Sequence, residues 1–283
     1  MATQKINDKK EMDNKINISR SNFEKLGTLY KKADNVIIEK EIIKKINCYW
    51  LYKNEIKPGN KIIIYLHGGC FVLGSINSHQ ALVSHLADEL DIPVLFIEYG
   101  LAPENPFPSA INDILEVYQY ILQKKQTQDI VFMGDSAGAG LAMSVISILD
   151  KKNINKPAHL VMLSPWIDLN ASNNSITSNA AIDPILTKEQ LQLYTSLYLG
   201  SSKVSAANPI EIMAGNFPPT LILVGSREIL VDDSKMAYSK ISEKQPLTKL
   251  KVYDNQTHVW LLDDIQTEAS KNAIKEIRNF ISN

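Results

Sequence analysis

Ile130-Val-Phe-Met-Gly-Asp-Ser-Ala-Gly138 is the stretch of sequence that decides the fold. Its first four residues are apolar and predict a short buried strand, and apolar residues then recur at helical spacing over 141–149. Between strand and helix lies the pattern G-x-S-x-G, formed by Gly134, Asp135, Ser136, Ala137 and Gly138. Such a turn from strand to helix exposes a serine hydroxyl. The setting favours a nucleophilic Ser136 over the alternative, a helix-capping serine in a glycine-rich turn.

The same alternation of strand and helix extends over most of the chain. Short apolar runs predict strands at residues 61–66, 94–97, 130–133, 160–163, 221–224 and 250–253, with helical patterns between them. Strands that are apolar on both faces are typical of a mostly parallel sheet that helices cover on both sides. We therefore predict an α/β fold of the α/β-hydrolase type, because that fold carries the serine turn described above.

Two segments do not follow this alternation of strands and helices. Residues 1–35 begin with a polar, Lys- and Asn-rich stretch that predicts partial disorder, followed by a helical pattern over 21–33. Residues 170–217 contain polar loops and one helical pattern, and we interpret them as an insertion above the sheet. The expected organisation is an N-terminal segment 1–35 and a catalytic domain 36–283 with a cap insertion at about 170–217.

A glycine-rich loop follows the first predicted strand of the main sheet. It reads His67-Gly68-Gly69-Cys70. Acyl transfer needs backbone N–H donors aimed at the tetrahedral oxyanion, and these come from such a loop and from the residue after the nucleophile. We expect the donors on Gly68, Gly69, Cys70 and Ala137. The alternative is a simple turn that ends the strand.

A serine nucleophile needs a general base, and the chain order in this fold is serine, acid, histidine. Of the five histidines only His258 follows the last predicted strands. His79 and His85 flank a helical pattern and are expected on its polar side, while His159 begins a strand and is interpreted as structural.

The acid is expected after the strand at 221–224. Glu228 is the first acidic residue there, followed by Asp232 and Asp233. The two aspartates precede a helical pattern, where an N-cap explains them without catalysis. We therefore assign Glu228 as the acid.

Composition limits the other classes of function. The formal net charge is −1, which gives no electrostatic case for nucleic acid or an acidic membrane. The two cysteines, Cys48 and Cys70, could form one disulfide, but reduced thiols in a cytoplasmic protein are the expectation. The first residues form no apolar segment, so neither a secretory signal nor membrane insertion is expected. No H-E-x-x-H or C-x-x-C spacing indicates a metal.

Taken together, the motifs resemble those of the bacterial hormone-sensitive-lipase-like esterases. The resemblance covers about four-fifths of the chain, from residue 61 onward, and includes Tyr99-Gly-Leu-Ala-Pro-Glu104, Ser164-Pro-Trp-Ile-Asp168 and His258-Val-Trp260 beside the loop and the serine motif. It implies an α/β-hydrolase core, a helical cap to which residues 1–35 contribute, and activity on short-acyl esters without a cofactor. Two positions depart from the family pattern. Cys70 stands where the last glycine of the loop is usual, and Gly100 where an arginine is usual.

The expected activity is that of a serine carboxylesterase acting on a small-molecule ester. A deacetylase or amide hydrolase would use the same three side chains, and a non-catalytic small-molecule receptor could share the fold. An interfacial lipase is less favoured, because no long apolar lid is evident. The aromatic pocket candidates, for which ordinary core packing is an equal alternative, are Phe71, Tyr194, Tyr198 and Trp260. The sequence leaves the oligomeric state open, with a homodimer as one option.

Overall fold

One mixed sheet organises the computed structural model, which describes residues 2–54 and 61–282. Within these residues the sheet has eight strands, in the spatial order β1-β2-β4-β3-β5-β6-β7-β8. The strands are β1 (Val36–Ile43), β2 (Ile46–Lys53), β3 (Ile62–Leu66), β4 (Val94–Glu98), β5 (Ile130–Asp135), β6 (His159–Leu163), β7 (Thr220–Gly225) and β8 (Lys249–Tyr253). From β4 to β8 all neighbouring strands are parallel, whereas β1 and β2 pair antiparallel at one edge. The predicted α/β-hydrolase fold is confirmed.

All six predicted strands are present, and the hairpin of β1 and β2 was not foreseen. Its turn consists of Lys44 and Lys45, both with positive φ, at 53° and 72°. Hairpin turns of this kind usually carry Asn or Gly, which tolerate such angles. Two lysines gave no turn signal, so the two strands were not recognised.

Helices cover both faces of the sheet. They are α1 (Ala2–Glu24), α2 (Ile76–Leu90), α3 (Ser109–Leu122), α4 (Ser136–Lys151), α5 (Ser175–Ser178), α6 (Lys188–Leu199), α7 (Val204–Ala207), α8 (Pro209–Ile212), α9 (Val231–Ser242) and α10 (Glu268–Ile281). Side chains of β3 alternate between two core clusters, because successive residues of a strand point to opposite faces. Ile64 and Leu66 pack with residues of α3 and α4, and Ile63 and Tyr65 pack with residues of α2 and α10.

The N-terminal region differs from its predicted helix over 21–33. Helix α1 ends at Glu24, a short 3-10 turn follows over Lys25–Thr28, and Leu29 is 55% exposed. The apolar residues of this stretch do not share one face, because Phe23 packs against one core cluster and Tyr30 against the other.

The insertion at 170–217 contains α5 to α8, and its predicted helix is α6. Ile16 of α1 belongs to the same core cluster as Leu191 and Tyr198 of α6. The grouping of residues 1–35 with this insertion as one cap stays a prediction, as does the partial disorder of the first residues.

Candidate active site

The serine motif forms the junction between β5 and α4. Ser136 is the first residue of α4 and has a positive φ of 50°, a strained angle for a residue with a side chain. The turn lies so close to β3 that a Cβ on Gly138 would be 2.0 Å from the carbonyl oxygen of Leu66. The motif therefore needs glycine at this position, and the hydroxyl of Ser136 projects from the N-terminus of a helix.

His258 connects this hydroxyl to a carboxylate. Its Nε2 lies 2.9 Å from Ser136 Oγ, and its Nδ1 lies 2.7 Å from Glu228 Oε2. Glu228 follows the end of β7 and His258 follows β8, so all three side chains meet at the carboxyl edge of the parallel strands. With the Nδ1 proton donated to Glu228, Nε2 is free to accept the proton of the serine hydroxyl.

The environment tunes His258 toward proton transfer. Burial lowers the pKa of His258, but the charge and hydrogen bond of Glu228 outweigh burial and raise the pKa above its ordinary value. The half-buried Asp183 adds to this increase in pKa. A raised pKa makes the imidazole a stronger base toward a neighbouring hydroxyl and stabilises its protonated form.

Ser164 also belongs to this arrangement, and sequence reasoning assigned it no role. Its hydroxyl donates to Glu228 Oε1 at 2.7 Å and accepts the N–H of Val259 at 3.1 Å. The N–H of Gly225 donates to the same carboxylate oxygen at 2.7 Å. One hydroxyl thus ties the acid to the loop that carries His258. The available signal was its place directly after a predicted strand, at the same sheet edge as Ser136.

The loop after β3 approaches the serine from the other side. Gly69, Cys70 and Phe71 all have positive φ, at 105°, 55° and 65°. The N–H of Gly68 donates to Asp135 Oδ1 at 3.0 Å, so this expected oxyanion donor already has a partner. The N–H of Ala137 lies in the first turn of α4, where backbone donors have no intrahelical acceptor.

Cys70 lies in this loop as a buried free thiol. Burial raises its pKa to about 12, which keeps the thiol protonated at neutral pH. A protonated thiol is a poor nucleophile, so Cys70 does not compete with Ser136 as the candidate nucleophile. Cys48 is also free and buried, in β2.

A second histidine and carboxylate lie beneath the serine turn. Asp135 accepts the hydroxyl of Tyr65 at 2.8 Å, and His79 Nε2 is 3.5 Å from its carboxylate. Burial raises the pKa of Asp135, but His79 and Tyr65 outweigh burial and hold the pKa below its ordinary value. The expectation that His79 lies on a polar helix face was wrong. Its side chain is 0% exposed, because its side of α2 packs against the sheet.

His67, at the start of the loop, is buried and neutral. It stacks on Tyr99 with ring centroids 4.3 Å apart, and its Nδ1 donates to the carbonyl of Gly68 at 2.7 Å. Burial lowers its pKa to about 3. His67 therefore supports the backbone of the loop and is not placed to exchange protons with Ser136.

The four aromatic pocket candidates do not lie together. Phe71 stacks on Tyr198 with ring centroids 3.9 Å apart, and Tyr194 packs against the same core cluster. Trp260 instead packs against Tyr253, with ring centroids 4.8 Å apart, in the core cluster on the opposite face of the sheet. The Trp260 ring lies in a 3-10 turn, Trp260–Leu262, and is buried in that core.

The expected capping role of the two aspartates after Glu228 is wrong. Leu230 is the N-cap residue of α9, and it makes no side-chain cap. Asp233 is buried and accepts the N–H groups of Ile167 and Asp168 at 2.9 Å, while Asp232 accepts the N–H of Ser175 at 2.9 Å. Both carboxylates therefore fasten the segment after β6 to α9. Burial raises the pKa of Asp233 to about 7.

Within residues 2–54 and 61–282, no group of three or more His, Cys, Asp or Glu side chains could hold a metal ion. No helix there is long and apolar enough to cross a bilayer.

Comparison with known proteins places these features in a family. A family model described as an alpha/beta hydrolase fold matches residues 63–262. A protein named esterase from Acinetobacter venetianus is 35% identical over 227 residues, which cover 78% of this chain and 74% of the relative. A protein named acetyl-hydrolase from Streptomyces hygroscopicus is 33% identical over 208 residues, or 72% of this chain and 69% of the relative.

Solved structures give the same result at the level of the whole chain. The crystal structure of an esterase from the bacterial hormone-sensitive lipase family has a TM-score of 0.88 and 32% sequence identity. The match covers 93% of this chain and 89% of that one. A structure of an esterase or lipase from an uncultured bacterium also has a TM-score of 0.88, at 30% identity, over 94% of this chain and 90% of that one.

Proposed function

This chain belongs to the α/β-hydrolase family, in its bacterial hormone-sensitive-lipase-like group, and we propose that it is a serine carboxylesterase that cleaves short-acyl esters. The observation that carries the proposal is the continuous chain of hydrogen bonds from Ser136 Oγ through His258 to Glu228, at 2.9 and 2.7 Å. Relatives named esterase and acetyl-hydrolase support the same class of reaction.

In the proposed reaction Ser136 Oγ attacks the acyl carbon while His258 Nε2 takes the serine proton. The carbonyl oxygen becomes an oxyanion, which the N–H groups of Gly69, Cys70 and Ala137 stabilise. The tetrahedral intermediate expels the alcohol, which receives the proton from His258 and leaves an acyl-enzyme. Water then attacks the acyl carbon with His258 as base, and the carboxylic acid departs as the serine regains its proton.

Glu228 orients the imidazole in this scheme and stabilises it once it is protonated. Gly68 is left out of the oxyanion donors, because its N–H is bonded to Asp135. A cytoplasmic location, action without a cofactor and a homodimer remain predictions.

Buried aromatic rings beside the oxyanion turn support the expected preference for short acyl chains. Phe71 directly follows the proposed donor Cys70 and stacks on Tyr198, and Trp166 lies 5.3 Å from Phe71 between ring centroids. We expect these buried rings to limit the length of acyl chain that fits beside the oxyanion turn. Stacked rings resist displacement by a flexible substrate, since their burial stabilises the core.

The decisive experiment is turnover of p-nitrophenyl esters from acetate to palmitate by the purified protein. We expect kcat/KM to be highest for acetate or butyrate and to fall for longer chains. Ser136→Ala should lower kcat by a factor on the order of 10⁶ without unfolding the protein. Ser144→Ala is the matched control, because Ser144 lies on the same helix and bonds only within it, to the carbonyl of Gly140.

Near-normal turnover by folded Ser136→Ala would disprove the mechanism, and rates that kept rising to long-chain emulsions would disprove the chain-length preference. The amide alternative is tested in the same assay by comparing p-nitroacetanilide with p-nitrophenyl acetate. A receptor on the same fold would bind ester analogues without turnover.

A further inference from the structure

The turn that carries the proposed oxyanion donors is held in an unfavourable backbone conformation. Cys70 and Phe71 are consecutive non-glycine residues with positive φ, at 55° and 65°. Non-glycine residues with such angles persist only where the surrounding structure fixes them. The direction of the Gly69 and Cys70 N–H groups therefore depends on what holds the turn.

Hydrogen bonds within its own loop and from the segment after β4 provide part of the support for the turn. The N–H groups of Val72 and Leu73 both donate to the carbonyl of Gly69, at 3.1 and 2.8 Å. The carbonyl of Phe71 accepts the N–H of Ala102 at 2.9 Å, which joins the turn to the segment after β4. The position of the turn therefore depends on the position of the segment around Ala102.

The remaining support comes from α1, far away in sequence. Arg20 donates from Nε to the carbonyl of Val72 and from Nη2 to the carbonyl of Ala102, each at 2.9 Å. Its two Nη atoms also form a bidentate pair with Glu104, at 2.8 and 2.7 Å. One guanidinium therefore joins the oxyanion turn and the neighbouring segment through four charge-assisted hydrogen bonds. Such planar, bidentate contacts fix direction as well as distance.

Helix α1 is itself fixed where Arg20 emerges. Ile16, one turn earlier, is 5% exposed and belongs to the core cluster that also contains Cys70 and Phe71. Glu24, one turn later, accepts the hydroxyl of Ser75 at 2.6 Å. The guanidinium is thus presented from a helix that is anchored on both sides of it.

We propose that Arg20 is a positioning residue for ester hydrolysis, and that α1 completes the active site by holding the oxyanion turn from behind. This inference rests on the proposed function. It assigns to the N-terminal segment a role in transition-state stabilisation, through Val72 and Ala102, rather than contact with the reacting atoms. A lysine can replace only part of these contacts, because one ammonium group cannot span both carbonyls and the Glu104 carboxylate at once.

The test is Arg20→Ala in the full-length protein, with Arg20→Lys as a milder variant that serves if the alanine variant does not fold. Lys15→Ala is the control, since Lys15 lies on the same helix and makes an exposed ion pair with Glu11 at 2.7 Å. The measurements for each are kcat and KM for p-nitrophenyl acetate, inhibition by a trifluoromethyl ketone, the melting temperature, and hydrogen exchange at the amides of Val72 and Leu73.

We expect Arg20→Ala to lower kcat by about 10- to 50-fold with KM within about twofold, less than the loss of an oxyanion donor itself. Arg20→Lys should show a smaller loss, and Lys15→Ala none. Exchange at Val72 and Leu73 should rise only in the Arg20 variants. Inhibition by a trifluoromethyl ketone, which forms an oxyanion when a serine adds to it, should weaken by the same factor as kcat/KM.

The proposal is overturned if folded Arg20→Ala keeps wild-type kcat, or if kcat falls without faster exchange in the turn. A purely structural role for Arg20 would lower the melting temperature and leave kcat of the folded protein unchanged. If the wild-type protein hydrolyses no ester, the proposed function fails separately. The exchange comparison then decides whether Arg20 holds the turn.

Discussion

Ser136 lies between two histidine–carboxylate pairs that share chemistry and differ in geometry. In the upper pair, His258 is 2.7 Å from Glu228, and its second ring nitrogen is 2.9 Å from Ser136 Oγ. In the lower pair, His79 is 3.5 Å from Asp135, and its second nitrogen is 2.9 Å from the hydroxyl of Ser78. The upper histidine faces Ser136, the proposed nucleophile, whereas the lower one faces Ser78 and the carboxylate beneath the serine turn.

The difference shows that the partner of the second nitrogen decides what such a pair can do. Both histidines have a carboxylate on one side and a serine hydroxyl on the other, but only His258 reaches the hydroxyl of Ser136, the proposed nucleophile. The hydroxyl of Ser78 instead donates its proton to the carbonyl of Ser75 at 2.9 Å. The hydrogen bonds of the lower pair go to Tyr65, Ser78 and Gly68, and by accepting the N–H of Gly68 its carboxylate holds the start of the oxyanion loop. We therefore expect the upper pair to control the chemical step and the lower pair to control stability and loop position.

Breaking the upper pair should have the largest effect. We expect Glu228→Ala to lower kcat by roughly 10³–10⁴, because His258 loses the group that orients it and stabilises its charge. The measurement is kcat for p-nitrophenyl acetate in folded protein. Asp232→Ala is the control, since this carboxylate binds Ser175 and Lys235 and should cost only about 1 kcal/mol of stability. If folded Asp232→Ala loses activity while Glu228→Ala turns over normally, the catalytic acid is Asp232 and not Glu228.

The pH dependence of kcat/KM should show which of the two pairs sets the pKa of the catalytic base. His258 must be neutral to act as a base, and its pKa is raised above the ordinary value of about 6.5 by Glu228. Activity is therefore lost as pH falls through this raised pKa. We expect Glu228→Gln to move the acid limb of kcat/KM to lower pH, because the carboxylate charge is gone.

Asp135→Asn is the comparison for this measurement, because Asp135 is the weakest of the groups that raise the pKa of His258. Its acid limb should stay close to that of the wild-type protein. An equal shift in both variants would mean that the lower pair also sets the pKa of the base.

Breaking the lower pair should mainly reduce the free energy of unfolding. Asp135→Ala leaves Tyr65, Gly68 and His79 without their buried acceptor, and we expect a loss of about 3–5 kcal/mol in urea unfolding. Asp135→Asn should lose less, because the amide oxygen can still accept from Tyr65 and Gly68. If Asp135→Ala unfolds like the wild-type protein, the buried network does not stabilise the fold as argued.

The smallest effect is expected at Cys70, which belongs to neither pair. Cys70→Gly should keep kcat within about threefold, because glycine retains the N–H and adopts positive φ without strain. The loss of a small buried side chain offsets this gain, so the melting temperature should change little. A folded but inactive Cys70→Gly would assign the thiol a role in the reaction.

Local sequence determined the elements whose signals lie within a few residues. The serine turn could be predicted because strand, glycines, serine and helix follow one another over residues 130–149. Glu228 and His258 could be ranked as candidates because the order of strands places them at the same sheet edge as Ser136. The hairpin of β1 and β2 was missed, because the Lys44–Lys45 turn carries no residue that favours positive φ.

Only the tertiary structure decided which atoms meet. Ser136 and His258 are separated by 122 residues, Ser164 and Glu228 by 64, and Arg20 and Glu104 by 84. Sequence patterns give the face or the end of an element on which a residue lies, whereas a hydrogen bond requires two atoms to be placed within a few tenths of an ångström. That placement comes from the packing of the whole core, which is why the partners of His79, Ser164 and Arg20 became visible only in the fold.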